Sequence, residues 1–208
     1  MEQPAATIDA DAVLWREGTG DDLLVVMHGL GSHEGDLFGL APHLPEELTI
    51  ASLRAPFGYG GGFAWFEFSA VDSDDHRLID AAARAVLDWL DGLGDRFARI
   101  HLLGFSQGGA MAVQLARLAP ERFASIAHLA SFVHAGELPG DATLAQREPR
   151  IPMLSTKGDL DEVIHPDKIA RSEPWLDERF DVDRRTYHRA HAIVGDELAD
   201  VVAFLRRV

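Results

Sequence analysis

The chain of 208 residues contains no cysteine. Disulfide staples, thiolate nucleophiles, C-x-x-C redox chemistry and cysteine-ligated zinc or iron–sulfur sites are therefore excluded. Lysine is almost absent: Lys157 and Lys168 are the only two, and arginine carries nearly all the positive charge. Basic residues number 19 against 34 acidic ones, a net charge of −15. A field of that sign repels phosphate backbones and anionic bilayers, which argues against a nucleic-acid partner and against stable membrane association. Long hydrophobic runs are missing too. The longest early one, residues 23–27, is far below the roughly 20 residues that cross a bilayer. Residues 1–11 hold acidic side chains and no apolar centre, unlike a signal peptide. These absences lead to the expectation of a cytoplasmic protein.

What is present is ordinary globular composition, 47% hydrophobic and 25% charged. That length and composition suit one well-buried domain over residues 1–208. Short apolar runs at residues 23–27, 50–53, 100–105, 126–131 and 153–156, and a weaker one at 182–187, alternate with helical patterns. Near-continuous hydrophobicity in pieces this short predicts strands of a parallel sheet buried on both faces. Ile79, Ala83, Val86, Leu90 and Leu93 form a stripe on a helix ending near Gly94. Residues 110–118 predict a small-residue helix limited by Pro120, and Leu198, Val201, Val202 and Leu205 mark the apolar face of a last one. The fold class is α/β, a mostly parallel sheet with helices on both faces. Residues 13–15 read as an antiparallel edge strand, residues 58–63 as a glycine-rich loop and residues 139–149 as a polar connection.

The sharpest chemical signal is Gly104-Phe105-Ser106-Gln107-Gly108-Gly109, at the junction of a predicted strand and helix. G-x-S-x-G there is the nucleophile elbow, whose small residues permit a tight, strained turn. A glycine-rich turn with an N-cap serine would show the same letters, but the buried strand before and the Ala-rich helix after favour the nucleophile. Serine needs a base, and the base needs an orienting carboxylate, in chain order Ser, Asp or Glu, His. The carboxylate candidates are Asp159 and Asp161, then Glu162, in the loop after the 153–156 strand. Spacing alone does not separate the first two. Of His134, His165, His188 and His191, only the last two follow the final strand and precede the final helix. His191 is the better placed of these in a loop. The oxyanion hole requires backbone N–H groups, and Gln107 and Leu30 are the candidates, the latter in the loop His28-Gly29-Leu30-Gly31-Ser32. That loop lacks the G-x-x-x-x-G-K-[ST] spacing of a phosphate cradle.

His28-Gly29-Leu30-Gly31, Arg54-Ala55-Pro56, Trp65-Phe66, Gly104-Phe105-Ser106-Gln107-Gly108-Gly109, Gly158-Asp159-Leu160-Asp161 and Ala190-His191 occur in that order. Together they resemble the landmarks of the phospholipase/carboxylesterase family, which includes small bacterial carboxylesterases and acyl-protein thioesterases. The resemblance spans roughly residues 23 to 205. It implies Asp161 as the triad aspartate, in a G-x-x-D-x-x-[VI] pattern closed by Ile164, and His191 as the histidine. It further implies a minimal α/β-hydrolase fold without a large cap domain, no metal and no organic cofactor. Trp65, Phe66 and Phe63 are expected beside the active site, lining an acyl pocket. Relatives that dimerise make a homodimer one option. Two positions depart from the family pattern: His165 stands between Ile164 and Pro166, and Ala190 replaces the usual glycine before the histidine.

The expected activity is that of a serine esterase on short- to medium-chain carboxylic esters, thioesters included, with a small-molecule acyl ester as substrate. Lysophospholipase or acyl-protein thioesterase activity is the alternative within the family. Transacylation and amide hydrolysis use the same groups. A non-catalytic binding or scaffold protein on the same fold is the competing class, and the joint presence of Ser106, Asp161, His191 and the H-G-L-G loop stands against it. Dienelactone-type hydrolases typically need the cysteine this chain lacks.

Overall fold

The computed structural model of the protein describes residues 6–67 and 76–208. Residues 1–5, part of the opening stretch weighed above against a signal peptide, lie outside the described residues. Nine strands occur among those described: β1 Leu14–Arg16, β2 Asp22–Met27, β3 Thr49–Leu53, β4 Phe57–Tyr59, β5 Gly62–Ala64, β6 Arg99–Phe105, β7 Ser125–Leu129, β8 Ile151–Gly158 and β9 Phe180–Tyr187. Seven build the main sheet in the order β1-β3-β2-β6-β7-β8-β9, and β1 alone is antiparallel to its neighbour. The helices are α1 Glu34–Phe38, α2 Arg77–Gly92, α3 Gln107–Leu118, α4 Gly140–Gln146, α5 Pro166–Arg179 and α6 Gly195–Leu205.

Strand periodicity explains the two-faced core. Leu23, Val25 and Met27 of β2 enter one cluster with Ile79 and Val86 of α2, Met111 and Leu115 of α3 and Leu176 of α5. Leu24 and Val26 point the other way, into a second cluster with Leu37 of α1 and Val201, Phe204 and Leu205 of α6. A strand buried on both faces has no polar side to alternate with, hence the unbroken apolar run. Just beyond α2, Gly94 takes a φ of +59°, the left-handed position that ends many helices.

The edge strand predicted at residues 13–15 forms at Leu14–Arg16. Two other expectations are corrected. Residues 58–63 belong to a β4–β5 hairpin, turned by Gly60 and Gly61 with φ of +55° and +94°, rather than to a loop. A two-residue turn with both φ positive is the type that matches strand twist, and glycine adopts it without a steric cost. Residues 139–149, read as a polar connection, contain helix α4. The reason is tertiary: the buried Arg117 of α3 forks onto the Asp141 carboxylate of α4 at 2.8 and 2.9 Å. Helix α5, strongly polar and carrying Pro174 inside it, was not anticipated either. No helix among the described residues is long and apolar enough to cross a membrane.

His128 of β7 is buried in the sheet between β6 and β8, where burial pushes its imidazole down to about 4. His101 of β6 is lowered in the same direction by the same cause. Both are neutral in the fold, whereas the unfolded chain takes up protons below about pH 6.5. Stability is therefore complete above that pH and falls as the pH drops toward 4, with His128 alone accounting for about 3 kcal/mol. Urea unfolding across that range should show the loss, and His128→Gln should flatten the pH dependence relative to wild type.

Candidate active site

β6 runs into α3 at Ser106, whose backbone has φ 54° and ψ −119°. A non-glycine residue at positive φ is held there only by its surroundings, and glycines supply them. A Cβ on Gly104 would lie 2.1 Å from the Gly108 carbonyl oxygen, and one on Gly108 would lie 2.0 Å from that of Met27. The G-x-S-x-G glycines are thus required by backbone-to-backbone approach. The Ser106 N–H donates to Leu129 O at 2.9 Å, and Ser131 Oγ donates to Ser106 O at 2.5 Å. Gln107 opens α3, so its N–H has no carbonyl one turn earlier in the helix to bond.

At the end of β8 the loop that carries Asp161 meets the loop that carries His191. His191 Nδ1 lies 2.7 Å from Asp161 Oδ2. Asp161 Oδ1 accepts the N–H groups of Val163 at 2.9 Å and Ile164 at 3.2 Å. Burial by itself would raise this carboxyl, but the bonds from His191, Ile164 and Val163 outweigh it and hold it below the usual carboxylate range. The other candidates pair with each other: His188 Nδ1 sits 2.9 Å from Asp159 Oδ2, both on the surface. The two pairs differ in burial, since the Asp161 side chain is 2% exposed and that of Asp159 47%. The two loops are zipped by Asp159 N–H to Tyr187 O and Leu160 N–H to Arg189 O, at 3.0 and 3.1 Å. Neither departure from the family pattern disturbs this. Ala190 is not at positive φ, and His165 caps the start of α5, accepting the Asp167 N–H, with Pro166 as the first helical residue.

A cavity of about 280 Å³ brings the two halves together. Ser106, Gln107 and His191 line it with Gly29 and Leu30, and Phe105, Phe132, Val163 and Ile164 form its apolar wall. The His191 ring leans on Phe105, centroids 4.7 Å apart. Ser32, Asp36 and Lys168 supply polar groups. Apart from Ile164, these wall residues were not singled out in the sequence. Their usable signal is position, directly after parallel strands or beside the aspartate, where ligands of open α/β sheets bind.

Trp65, Phe66 and Phe63 are not among the lining residues, which corrects their expected place in an acyl pocket. Trp65 and Phe66 are wholly buried, and their polar groups hold the site instead. The Trp65 N–H donates to Gln107 Oε1 at 2.8 Å, and Gln107 Nε2 donates to Phe66 O at 2.7 Å. Trp65 Nε1 donates to His28 O at 2.9 Å. His28 is buried and its imidazole is pushed down by burial. Its Nε2 accepts the Ala55 N–H, leaving the Nδ1 proton for Gly29 O at 2.7 Å. Phe63 exchanges backbone bonds with Gly31 and Ser32, each 2.8 Å, and lies under the Arg54 guanidinium. Among the described residues, no group of three or more His, Asp or Glu side chains is placed to hold a metal ion.

A mostly parallel sheet with an elbow at its centre and a glycine loop after its second strand defines an α/β-hydrolase. The description of the phospholipase/carboxylesterase family matches residues 10–208, and the chain belongs to that family. It is 25% identical over 213 residues to acyl-protein thioesterase 1 of Saccharomyces cerevisiae, covering 88% of this chain and 91% of that protein. It is 32% identical over 128 residues to the dihydrolipoyllysine-residue acetyltransferase component of the acetoin cleaving system of Pseudomonas putida, covering 61% of this chain. The match spans only 32% of that protein's length. A carboxylesterase structure from Mesorhizobium loti superposes with a TM-score of 0.80 at 22% identity, over 98% of this chain and 99% of that one, which shows the shared fold.

The glycine argument predicts that Gly108→Ala destabilises the protein by about 3 kcal/mol, because two backbones must part to admit one methyl group. Denaturant unfolding should register that loss, and Gly58→Ala, with nothing within 4 Å, should not.

Proposed function

We propose that this chain is a cytoplasmic serine esterase, acting as one α/β-hydrolase domain on short- to medium-chain carboxylic esters and thioesters. The observation that carries this reading is one cavity holding Ser106 at a positive-φ elbow together with His191 backed by Asp161. Ser106 Oγ attacks the acyl carbon as His191 Nε2 takes the hydroxyl proton. Asp161 keeps the Nδ1 proton in place and stabilises the imidazolium. The N–H groups of Leu30 and Gln107 receive the developing oxyanion, assisted by the positive end of α3. The proton then passes from His191 to the departing alkoxide or thiolate. Water, deprotonated by His191, attacks the acyl-serine, and His191 returns that proton to Ser106 Oγ as the carboxylic acid leaves.

The cavity, about 280 Å³ with a mainly apolar wall, is close to the lower end of ordinary small-molecule sites, which supports a short- to medium-chain acyl group. The net charge of −15 disfavours action at an anionic bilayer. A second reading, acyl-protein thioesterase or lysophospholipase activity, is favoured by the apolar rim. Val163 lines the cavity and is 58% exposed, where it would meet a chain too long for it.

A fluorophosphonate probe should add once to wild type and not to Ser106→Ala, with the mass change read on intact protein. Loss of ester turnover on the order of 10⁵-fold or more should accompany that substitution. Absence of both adduct and turnover in folded wild type would leave the scaffold reading in its place. A series of p-nitrophenyl esters and acyl thioesters of increasing length separates the two enzymatic readings by its optimum.

Asp161 stays ionised throughout the reaction, because its carboxyl is held low. The acid limb of kcat/KM should therefore fall with a slope of one, reporting a single protonation. Asp161→Asn should lower kcat by on the order of 10³–10⁴.

A further inference from the structure

One carboxylate outside the cavity touches both ends of the loop that carries His191. Glu197, three residues into α6, is fully buried, and so is its partner Arg189. Arg189 Nη2 donates to Glu197 Oε1 at 2.6 Å, and Thr156 Oγ1 donates to the same oxygen at 2.5 Å. Glu197 Oε2 faces the Val194 N–H at 3.4 Å, the reach of a helix-capping glutamate back to its N-cap. His191 lies between Arg189 and Val194. Thr156 lies on β8, which leads to Asp161. Arg189 also donates from Nη1 to Ala190 O at 3.0 Å, beside the histidine itself.

A buried ion pair is weak support for a fold, because desolvating two charges offsets most of their attraction. This one is not even fully satisfied: Arg189 Nε is buried without a hydrogen-bond partner among the described residues. Its geometry is specific in another respect. It fixes the entry and the exit of a short loop to one point and ties that point to the strand preceding the aspartate. We propose that Glu197, through Arg189 and Thr156, is a positioning residue that holds His191 in register with Asp161 and Ser106. This rests on the esterase reading above. Glu197 touches no reacting atom, so its effect lies in kcat and not in substrate binding.

The test replaces the pair by apolar residues of similar length, Arg189→Met with Glu197→Met. Such exchanges are often neutral or stabilising to a fold, so stability and positioning come apart. Thermal unfolding at or above the wild-type midpoint is expected. With it, kcat should fall roughly 10²-fold at a KM within about twofold of wild type. Fluorophosphonate labelling of Ser106 should slow in parallel, since it draws on the same base. A folded double variant with wild-type kcat and labelling rate overturns the proposal and leaves the pair a packing feature. If the double variant does not fold, Thr156→Val removes one bond to the carboxylate and Glu197→Gln removes its charge. Unchanged kcat in both overturns the proposal, and a reduced kcat at constant KM supports it. Wild type without ester turnover would instead refute the esterase reading, a result visible before any variant is made.

Discussion

The chemistry depends on one close contact between two backbones, α3 and β2. Gly108 lies so near the end of β2 that no side chain fits between it and the Met27 carbonyl. This contact brings the first N–H groups of α3 beside the loop after β2, segments almost eighty residues apart in the chain. It also forces the turn at Ser106, which cannot relax toward ordinary φ without lifting the helix off the sheet. Strain of this kind, of order 1–3 kcal/mol per residue, persists only where neighbours over-determine the conformation. Here the strand register, the glycines and the Ser131 bond all do so.

Around that contact the protein spends its polar groups on orientation. Gln107, Trp65 and His28 form a closed set of hydrogen bonds that ties the elbow to the glycine loop. Each buried polar atom in this set has a partner, as it must in a low-dielectric interior. The histidine can serve because burial keeps it neutral, one nitrogen donating and the other accepting. Across the cavity the aspartate and histidine loops are cross-linked through their own backbones. Each half of the site is cross-linked within itself, and the two meet at a shared apolar wall.

How much of this was readable in advance follows from the range of the forces involved. The sheet strands announced themselves because double-faced burial leaves an unbroken apolar run, as at residues 23–27. Ser106 stood out because its turn is local and its glycines are letters in the sequence. Asp161 and Asp159 did not separate by spacing, since what distinguishes them is depth: one is sealed under the histidine and the other lies in water. Trp65 and Phe66 were misplaced because an aromatic ring in a motif does not reveal which way it faces. Helix α4 was missed since Arg117, more than twenty residues earlier, decides it. α5 hides behind polar residues and an internal proline, and only Leu176 and Ser172 are buried along it.

The glycine turn of the β4–β5 hairpin has a different significance. Its base is welded to the loop after β2 by the Phe63 bonds, while a Cβ added at Gly60 or Gly61 at its tip would meet nothing within 4 Å. Side chains placed at the tip therefore meet open space and leave the bonds at the base untouched. Lengthening the tip adds chain beside the loop after β2 while the bonds at the base stay as they are. A scaffold so arranged can change what it admits without relearning how to react, and its evolution can proceed by insertion at one turn.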